Sequence, residues 1–341
     1  MVIACNAPEE ILRELSTADL VSLMLDYPLL GDLYLYNNLD DGFKIMSQNS
    51  NILQELMERE DGAIELLKAY SKSNITKQTE LPENIINMLE ENPSYINKIN
   101  ENDYYREIIE NESENIIQNI FMETALVQEE FINQLNEEFK SQLLEEVSDK
   151  VMEKEQSDLY SAYVYTWYDL VDKNLVNEVK QNLLESETNI NARSTTYYVK
   201  MPKGSSVEVY KLGHNASESA AAYNYTVKNY PNALIIGAAT TNYNCHTYAW
   251  YSQSTNNIYW MNNPGKYMED GSYSKVGTTP TAVNQKVCYI QYPLTNPYIH
   301  SGIVYKISGT TITLQSKWGA GPLVIHNVSY SPYGGTPIYY K

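Results

Sequence analysis

The chain has 341 residues, of which 24 are lysine or arginine and 43 are aspartate or glutamate, giving a formal net charge of −19. That length suggests two domains, because single domains usually span about 100–200 residues. So acidic a chain is a poor partner for nucleic acid, whose phosphates its field repels, and no run of about 18 apolar residues predicts a transmembrane segment.

Charge and glycine divide the chain into two chemically different parts. Residues 1–200 carry a net charge of −24 and 3 glycines, whereas residues 201–341 carry +5 and 12 glycines. Helical patterns end and strand-like runs begin near residue 193. We therefore predict an α+β protein with an acidic all-helical domain over residues 1–192 and a β-rich domain over residues 193–341.

Helical patterns follow one another through the first part. Ser16 and Asp19 form a capping pair before an apolar run that Tyr27-Pro28 ends, and Pro82 stands where another helix begins. Apolar residues at every fourth position over 131–151 predict one long helix, and 159–184 predict a further one. Together these patterns favour a helical bundle.

The helical part offers little chemistry. It contains no histidine, since the first histidine of the chain is His214. Residues 37–42 resemble a calcium-binding loop in the position of their glycine, but Leu39 occupies a position where a ligand is needed. We expect no metal and no cofactor, and we assign the bundle a structural, interaction or regulatory role that includes contacting or covering the second domain.

Short strands and one helix are predicted after residue 195. The runs 197–201, 206–211, 286–292, 299–307 and 311–317 predict strands, and 233–239 predicts a buried one. Asn215 or Ser217 would cap a helix that ends near Tyr230.

Cys245 is the residue of greatest chemical interest. The three cysteines cannot all pair, and Asn244 is a good N-cap that would place Cys245 in the first turn of a helix. Free N–H groups there favour the thiolate, the nucleophilic form of cysteine. Cys288, in an apolar run, is expected to be a buried hydrophobic residue.

A nucleophilic cysteine needs a general base, which is normally a histidine. His246 follows Cys245 directly, and neighbours on a helix point about 100° apart, which disfavours it. His300 opens a strand with small residues after it, so it is the predicted base. Pairing with the next strand would bring Gln315 or Ser316 near His300 to orient its ring.

These residues resemble a known family. Asn244-Cys245-His246, His300-Ser301-Gly302 and the run Gln315–Gly319 resemble the NlpC/P60- and CHAP-type papain-like cysteine hydrolases over about residues 196–341. The resemblance implies Cys245 as nucleophile and His300 as base and then acid in cleaving an amide bond, often in cell-wall peptide. Gln315 is the first choice for the third member, with Ser316 as alternative and His326 after it, whereas Tyr243, Asn244, Trp250 and Trp318 would line the substrate site.

Two other functions stay open at this point. The same Cys–His pair could serve a deamidase, transglutaminase or acyltransferase, and 18 tyrosines between residues 201 and 341 could instead form a non-catalytic glycan- or peptide-binding surface. A cell-wall substrate would place the protein outside the cell or on its surface, although no secretion signal is visible. Cys5 follows Val2-Ile3-Ala4 as in a lipoprotein processing site, without a hydrophobic segment before it.

Overall fold

A computed structural model describes residues 5–76, 81–143, 145–146, 197–294 and 296–341. In these ranges the chain is a mixed α+β protein, as predicted, with helices in the first part and antiparallel strands in the second. The predicted domain boundary at residues 192 and 193 and the predicted helix over 159–184 lie outside the described residues.

Among the described residues, nine helices with defined ends precede the first strand, and two more lie between strands. They are α1 (Glu9–Glu14), α2 (Thr17–Leu25), α3 (Leu39–Asn49), α4 (Asn51–Glu58), α5 (Gly62–Thr76), α6 (Glu83–Glu91), α7 (Tyr95–Asn100), α8 (Asp103–Leu126), α9 (Glu129–Ile132), α10 (Ala216–Asn229) and α11 (Lys266–Glu269). A 3-10 helix spans Leu30–Leu35 and a π-helical turn spans Thr247–Tyr251.

Several helix ends follow the predicted capping. The Ser16 hydroxyl accepts the Asp19 N–H at 3.2 Å to begin α2, and the Asn215 side chain accepts the Glu218 N–H at 2.9 Å to begin α10. The single helix predicted over 131–151 is wrong near its start, and residues 147–151 of that prediction lie outside the described residues. There α9 ends at Ile132, and Asn136 accepts the Phe139 N–H at 3.0 Å to begin a separate helix. A side-chain cap thus replaces helix continuation, although Leu135 stays buried.

In the described ranges, nine strands form two antiparallel sheets. They are β1 (Tyr197–Lys200), β2 (Ser206–Val209), β3 (Leu234–Gly237), β4 (Lys275–Gly277), β5 (Lys286–Ile290), β6 (Tyr298–Ser308), β7 (Thr311–Lys317), β8 (Leu323–Asn327) and β9 (Thr336–Tyr340). Strands β1 and β2 pair with each other, and the other seven lie in the order β3-β8-β7-β6-β5-β9-β4. The predicted hairpin between β6 and β7 is confirmed. The segment predicted to be a buried strand is β3, which lies at the sheet edge with Leu234 62% exposed.

Neighbouring side chains of β6 point to opposite faces of the large sheet. His300 lies opposite Tyr289 of β5, and Ser301 lies opposite Cys288. Because side chains alternate along a strand, His300 and Ser301 face different surroundings. The candidate site lies around these two residues.

The two parts of the sequence share one apolar cluster. It includes Leu35 and Phe121 from the helical part and Val304 and Trp318 from the sheet. Helix α8 packs along α10, which links the helices to the β-rich part. Burial of so much common apolar area stabilises the two parts together.

Residues 30–37, which we call the strap, connect α2 to α3 across the β-rich part. Leu33, Tyr34 and Leu35 are buried, and the Tyr34 carbonyl accepts the Ala320 N–H at 3.0 Å. Gly319 lies so close beneath that a β-carbon there would stand 2.5 Å from the Tyr34 carbonyl oxygen. The strap thus reaches the loop between β7 and β8 and continues to Asn37.

Candidate active site

Asn244 begins the turn that carries Cys245, as predicted. Its side-chain oxygen accepts the Thr247 N–H at 3.1 Å, and its amide donates to the Met261 carbonyl at 2.7 Å. The following turn is π-helical, a form that is frequent at functional sites. Asn244 is completely buried, so it positions Cys245 and does not line an open substrate site.

Four polar contacts surround the Cys245 thiol. The Ser301 N–H and the Asn37 side-chain amide each donate to its sulphur at 3.2 Å, Asn37 Oδ1 lies 3.3 Å away, and His246 Nδ1 lies 3.6 Å away. Burial raises the pKa of the thiol to about 12, although the bonds from Asn37 and Ser301 and the nearby Lys317 charge oppose that rise. The thiol is therefore protonated in this arrangement.

A chain of hydrogen bonds assigns the proton on the His246 ring. The Trp250 indole N–H, which can only donate, donates to Ser301 Oγ at 2.8 Å, and Ser301 Oγ lies 2.8 Å from His246 Nδ1. His246 Nε2 lies 3.0 Å from the Tyr298 carbonyl, which can only accept, and 3.1 Å from Asn37 Nδ2, whose two protons are donated to the Cys245 sulphur and the Ile299 carbonyl. We therefore assign the proton to Nε2, so that Nδ1 accepts the Ser301 hydroxyl and faces the thiol. Burial lowers the pKa of His246 to about 3, which keeps the ring neutral.

The prediction that His246 is badly placed is wrong. Its ring reaches back to the Cys245 sulphur because both side chains turn toward the same stretch of β6, as their bonds to Ser301 show. The angle of about 100° between neighbouring side chains holds within a regular helix and does not describe Cys245 and His246, which lie at the start of the turn. His246 Nδ1, at 3.6 Å, is the imidazole nitrogen that contacts the Cys245 sulphur.

The His300 ring lies on the other face of the sheet and makes no hydrogen bond to any described residue. Its ring stacks on Tyr333 with centroids 3.7 Å apart and planes 8° apart, and both of its ring nitrogens are buried without a partner. Burial lowers its pKa well below the ordinary value, helped by His326 and His246. The expected hydrogen bond between His300 and Cys245 is therefore not found, because strand alternation turns the ring away from Ser301 and its thiol neighbour.

The three residues predicted to orient His300 have other partners. Gln315 donates to the Tyr248 hydroxyl at 2.7 Å, on the face away from His300. Ser316 Oγ lies 2.8 Å from His326 Nε2, and the rings of His326 and His300 have centroids 6.5 Å apart. None of the three bonds the His300 ring.

The remaining predicted substrate residues are part of the core. Tyr243 stacks with Tyr248 at 6.3 Å, Trp250 bonds Ser301, and Trp318 packs edge-on against Tyr230 at 5.1 Å. All three are at most 3% exposed, and Cys245, His246 and His300 are at 0%. Within the part of the chain that the structure describes, the predicted site residues are thus buried, except for the half-buried Gln315, and they are divided between the two faces of the large sheet.

Two buried residues of the site have no counterpart among the predicted ones. Asn37 comes from the strap, 208 residues before Cys245 in sequence, and its amide also donates to the Ile299 carbonyl at 3.2 Å. Lys317 donates to the carbonyls of Thr240 at 2.9 Å, Gly319 at 2.6 Å and Gly321. Burial lowers the pKa of Lys317 well below its ordinary value. Nothing in the local sequence of either residue marks such a contact.

No protein-family model matches the sequence, and no curated protein or solved structure matches the chain. Among the described residues, no group of three or more histidine, cysteine, aspartate or glutamate side chains could hold a metal ion. No helix in that same part of the chain has the length and apolar character needed to cross a membrane.

Proposed function

We propose that the protein is a cysteine hydrolase that cleaves amide bonds, with Cys245 as its nucleophile and a papain-like arrangement of helical turn and sheet. The observation that carries the proposal is the thiol of Cys245 beside the unprotonated Nδ1 of His246, at 3.6 Å. The Tyr298 carbonyl holds the opposite ring nitrogen and so orients the base, as a third group does in other Cys–His sites.

The reaction proceeds through an acyl-enzyme. The Cys245 proton moves to His246 Nδ1, and the sulphur attacks the carbonyl carbon of the substrate amide to give a tetrahedral oxyanion. His246 then returns the proton to the leaving nitrogen as the C–N bond breaks, which leaves a thioester. Nδ1 then takes a proton from water as the water oxygen attacks the thioester carbonyl, and the proton passes to the Cys245 sulphur as the C–S bond breaks, which releases the carboxylic acid and restores the thiol. Acid–base work of this kind typically contributes about 10²–10⁴-fold to the rate.

His300 is the second candidate for the base, and one observation favours it. A fully buried imidazole with both nitrogens unpartnered is rare in folded proteins and calls for an explanation. A rearrangement of the site that paired His300 with Cys245 would supply one.

Two cysteine variants test the hydrolase directly. We expect Cys245→Ala to lose at least about 10³-fold of amide hydrolysis, because the nucleophile is absent. Cys288→Ala removes the other fully buried thiol and should keep activity within a few-fold. Turnover is followed by mass spectrometry of synthetic peptides, including cell-wall-type peptides, in which hydrolysis adds one water to the substrate. Full activity in folded Cys245→Ala would refute the proposal, and conversion of a side-chain amide to an acid would favour a deamidase.

A further inference from the structure

The strap lies directly over the nucleophile. Asn37 brings both heteroatoms of its carboxamide within 3.3 Å of the Cys245 sulphur. A substrate carbonyl needs the same position, because reacting atoms must approach to about 3–3.5 Å before attack. Asn37 therefore occupies the place of a scissile amide.

Asn37 also holds the thiol in its unreactive form. With the His246 proton assigned to Nε2, the Ser301 hydroxyl donates to Nδ1 at 2.8 Å in preference to the Cys288 sulphur at 3.6 Å. The thiol proton is therefore directed to Asn37 Oδ1 at 3.3 Å. The Ile299 carbonyl fixes the carboxamide orientation, because it accepts from Asn37 Nδ2 at 3.2 Å. In this arrangement the proton of the nucleophile does not point to its base.

Hydrogen bonds and the buried side chains of Leu33, Tyr34 and Leu35, rather than covalent links, hold the strap in place. Asp32 accepts hydrogen bonds from the hydroxyls of Tyr225 at 2.8 Å and Tyr230 at 2.7 Å, both at the C-terminal end of α10. The Leu35 carbonyl accepts from the Tyr333 hydroxyl, and the Asn37 carbonyl accepts from the Trp260 indole at 3.2 Å. Release of the strap therefore breaks these bonds and exposes its apolar side chains together, in one local opening.

We propose that the strap is an internal inhibitor, in which Asn37 imitates the substrate amide, and that the enzyme acts only when the strap moves away. This regulation rests on the proposed hydrolase function. It assigns the helical part a role in controlling the site. It also accounts for the absence of a groove to the thiol among the described residues.

The test measures whether the Cys245 thiol becomes accessible to a labelling reagent independently of the rest of the core. Tyr225→Phe removes one of the two bonds to Asp32, and Tyr223→Phe is its control on the same helix, since Tyr223 bonds Asn97 outside the strap. Folded protein is labelled with iodoacetamide, and peptides containing Cys245 and Cys288 are quantified by mass spectrometry. In Tyr225→Phe we expect the labelling rate of Cys245 to rise about tenfold, which corresponds to about 1.4 kcal/mol of strap closure. Cys288 should keep its rate, and Tyr223→Phe should change neither rate.

The wild-type protein provides a second measurement that needs no variant to fold. At low urea concentrations, labelling of Cys245 should depend less on urea than labelling of Cys288, because strap release exposes less surface than unfolding. Equal urea dependence, or parallel labelling of the two thiols in Tyr225→Phe, would overturn the inhibitor role.

Activity separates this proposal from the hydrolase itself. Selective labelling of Cys245 without any amide turnover would support a removable strap and refute the hydrolase. Cys245-dependent turnover that is equal in wild type and Tyr225→Phe would support the hydrolase and refute inhibition by the strap.

Discussion

Two clusters on opposite faces of β6 differ in how their polar atoms are satisfied. The thiol cluster, which consists of Asn37, Cys245, His246 and Ser301, is joined by hydrogen bonds throughout. The aromatic cluster, which consists of Tyr289, His300, Trp318 and Tyr333, packs by ring contacts and leaves His300 without a partner. Burial is complete in both places, so depth alone does not identify a catalytic site. The difference lies in which imidazole lies beside a nucleophile, since His246 Nδ1 is 3.6 Å from the Cys245 sulphur and neither His300 nitrogen has a partner among the described residues.

The largest predicted effect comes from replacing His246, the general base of the thiol cluster. We expect His246→Gln to reduce amide hydrolysis by about 10²–10⁴-fold, because glutamine can bond Ser301 and Tyr298 but cannot accept the thiol proton in catalysis. Hydrolysis rates are measured in the wild-type and Tyr225→Phe backgrounds. If His246→Gln lowered the rate of amide hydrolysis by less than tenfold and His300→Phe were inactive, the general base would be His300.

A second prediction concerns Asp32, which fastens the strap that touches both clusters. Burial raises the pKa of Asp32 from 3.8 to about 7, against the bonds from Tyr230 and Tyr225 that lower it. Between these pH values the folded protein holds a proton that the unfolded chain has released, so this contribution to stability falls as pH rises from about 4 to 7. Asparagine does not titrate. The unfolding free energy of Asp32→Asn minus that of wild type should therefore increase by on the order of 4 kcal/mol over this range and stay level above it.

Urea unfolding at a series of pH values measures that difference. Asp103→Asn removes an exposed carboxylate and serves to subtract the effect of net charge alone. Buried histidines also make stability depend on pH, but their contributions cancel between wild type and variant. A difference that does not change between pH 4 and 7 would contradict the raised pKa of Asp32.

Local patterns predicted the framework of the site well. Asn244 before Cys245, Asn215 before α10 and the hairpin of β6 and β7 depend on neighbouring residues, and all three are found. Asn37 could not be predicted, since its contact joins residues 208 positions apart and its neighbour Asn38 is an ordinary helix cap. The expectation for His300 failed because it required the facing direction of one strand residue, which depends on tertiary packing.

The smallest predicted effect tests the aromatic cluster. His300→Phe keeps a ring to stack on Tyr333 and removes two buried nitrogens that have no partner. An apolar replacement of an unsatisfied polar group is neutral or stabilising, so we expect the free energy of unfolding to rise by about 1 kcal/mol.

The matched replacement in the thiol cluster should act in the opposite direction. His246→Phe leaves the Ser301 hydroxyl and the Tyr298 carbonyl without their ring partner, which should lower stability by about 1–3 kcal/mol. Both variants are compared with wild type by urea unfolding at one pH. If His300→Phe were instead the more destabilising of the two, His300 would have a polar role in the folded protein. The contrast between the clusters would then fail, because a partner for the imidazole would be required on the aromatic face as well.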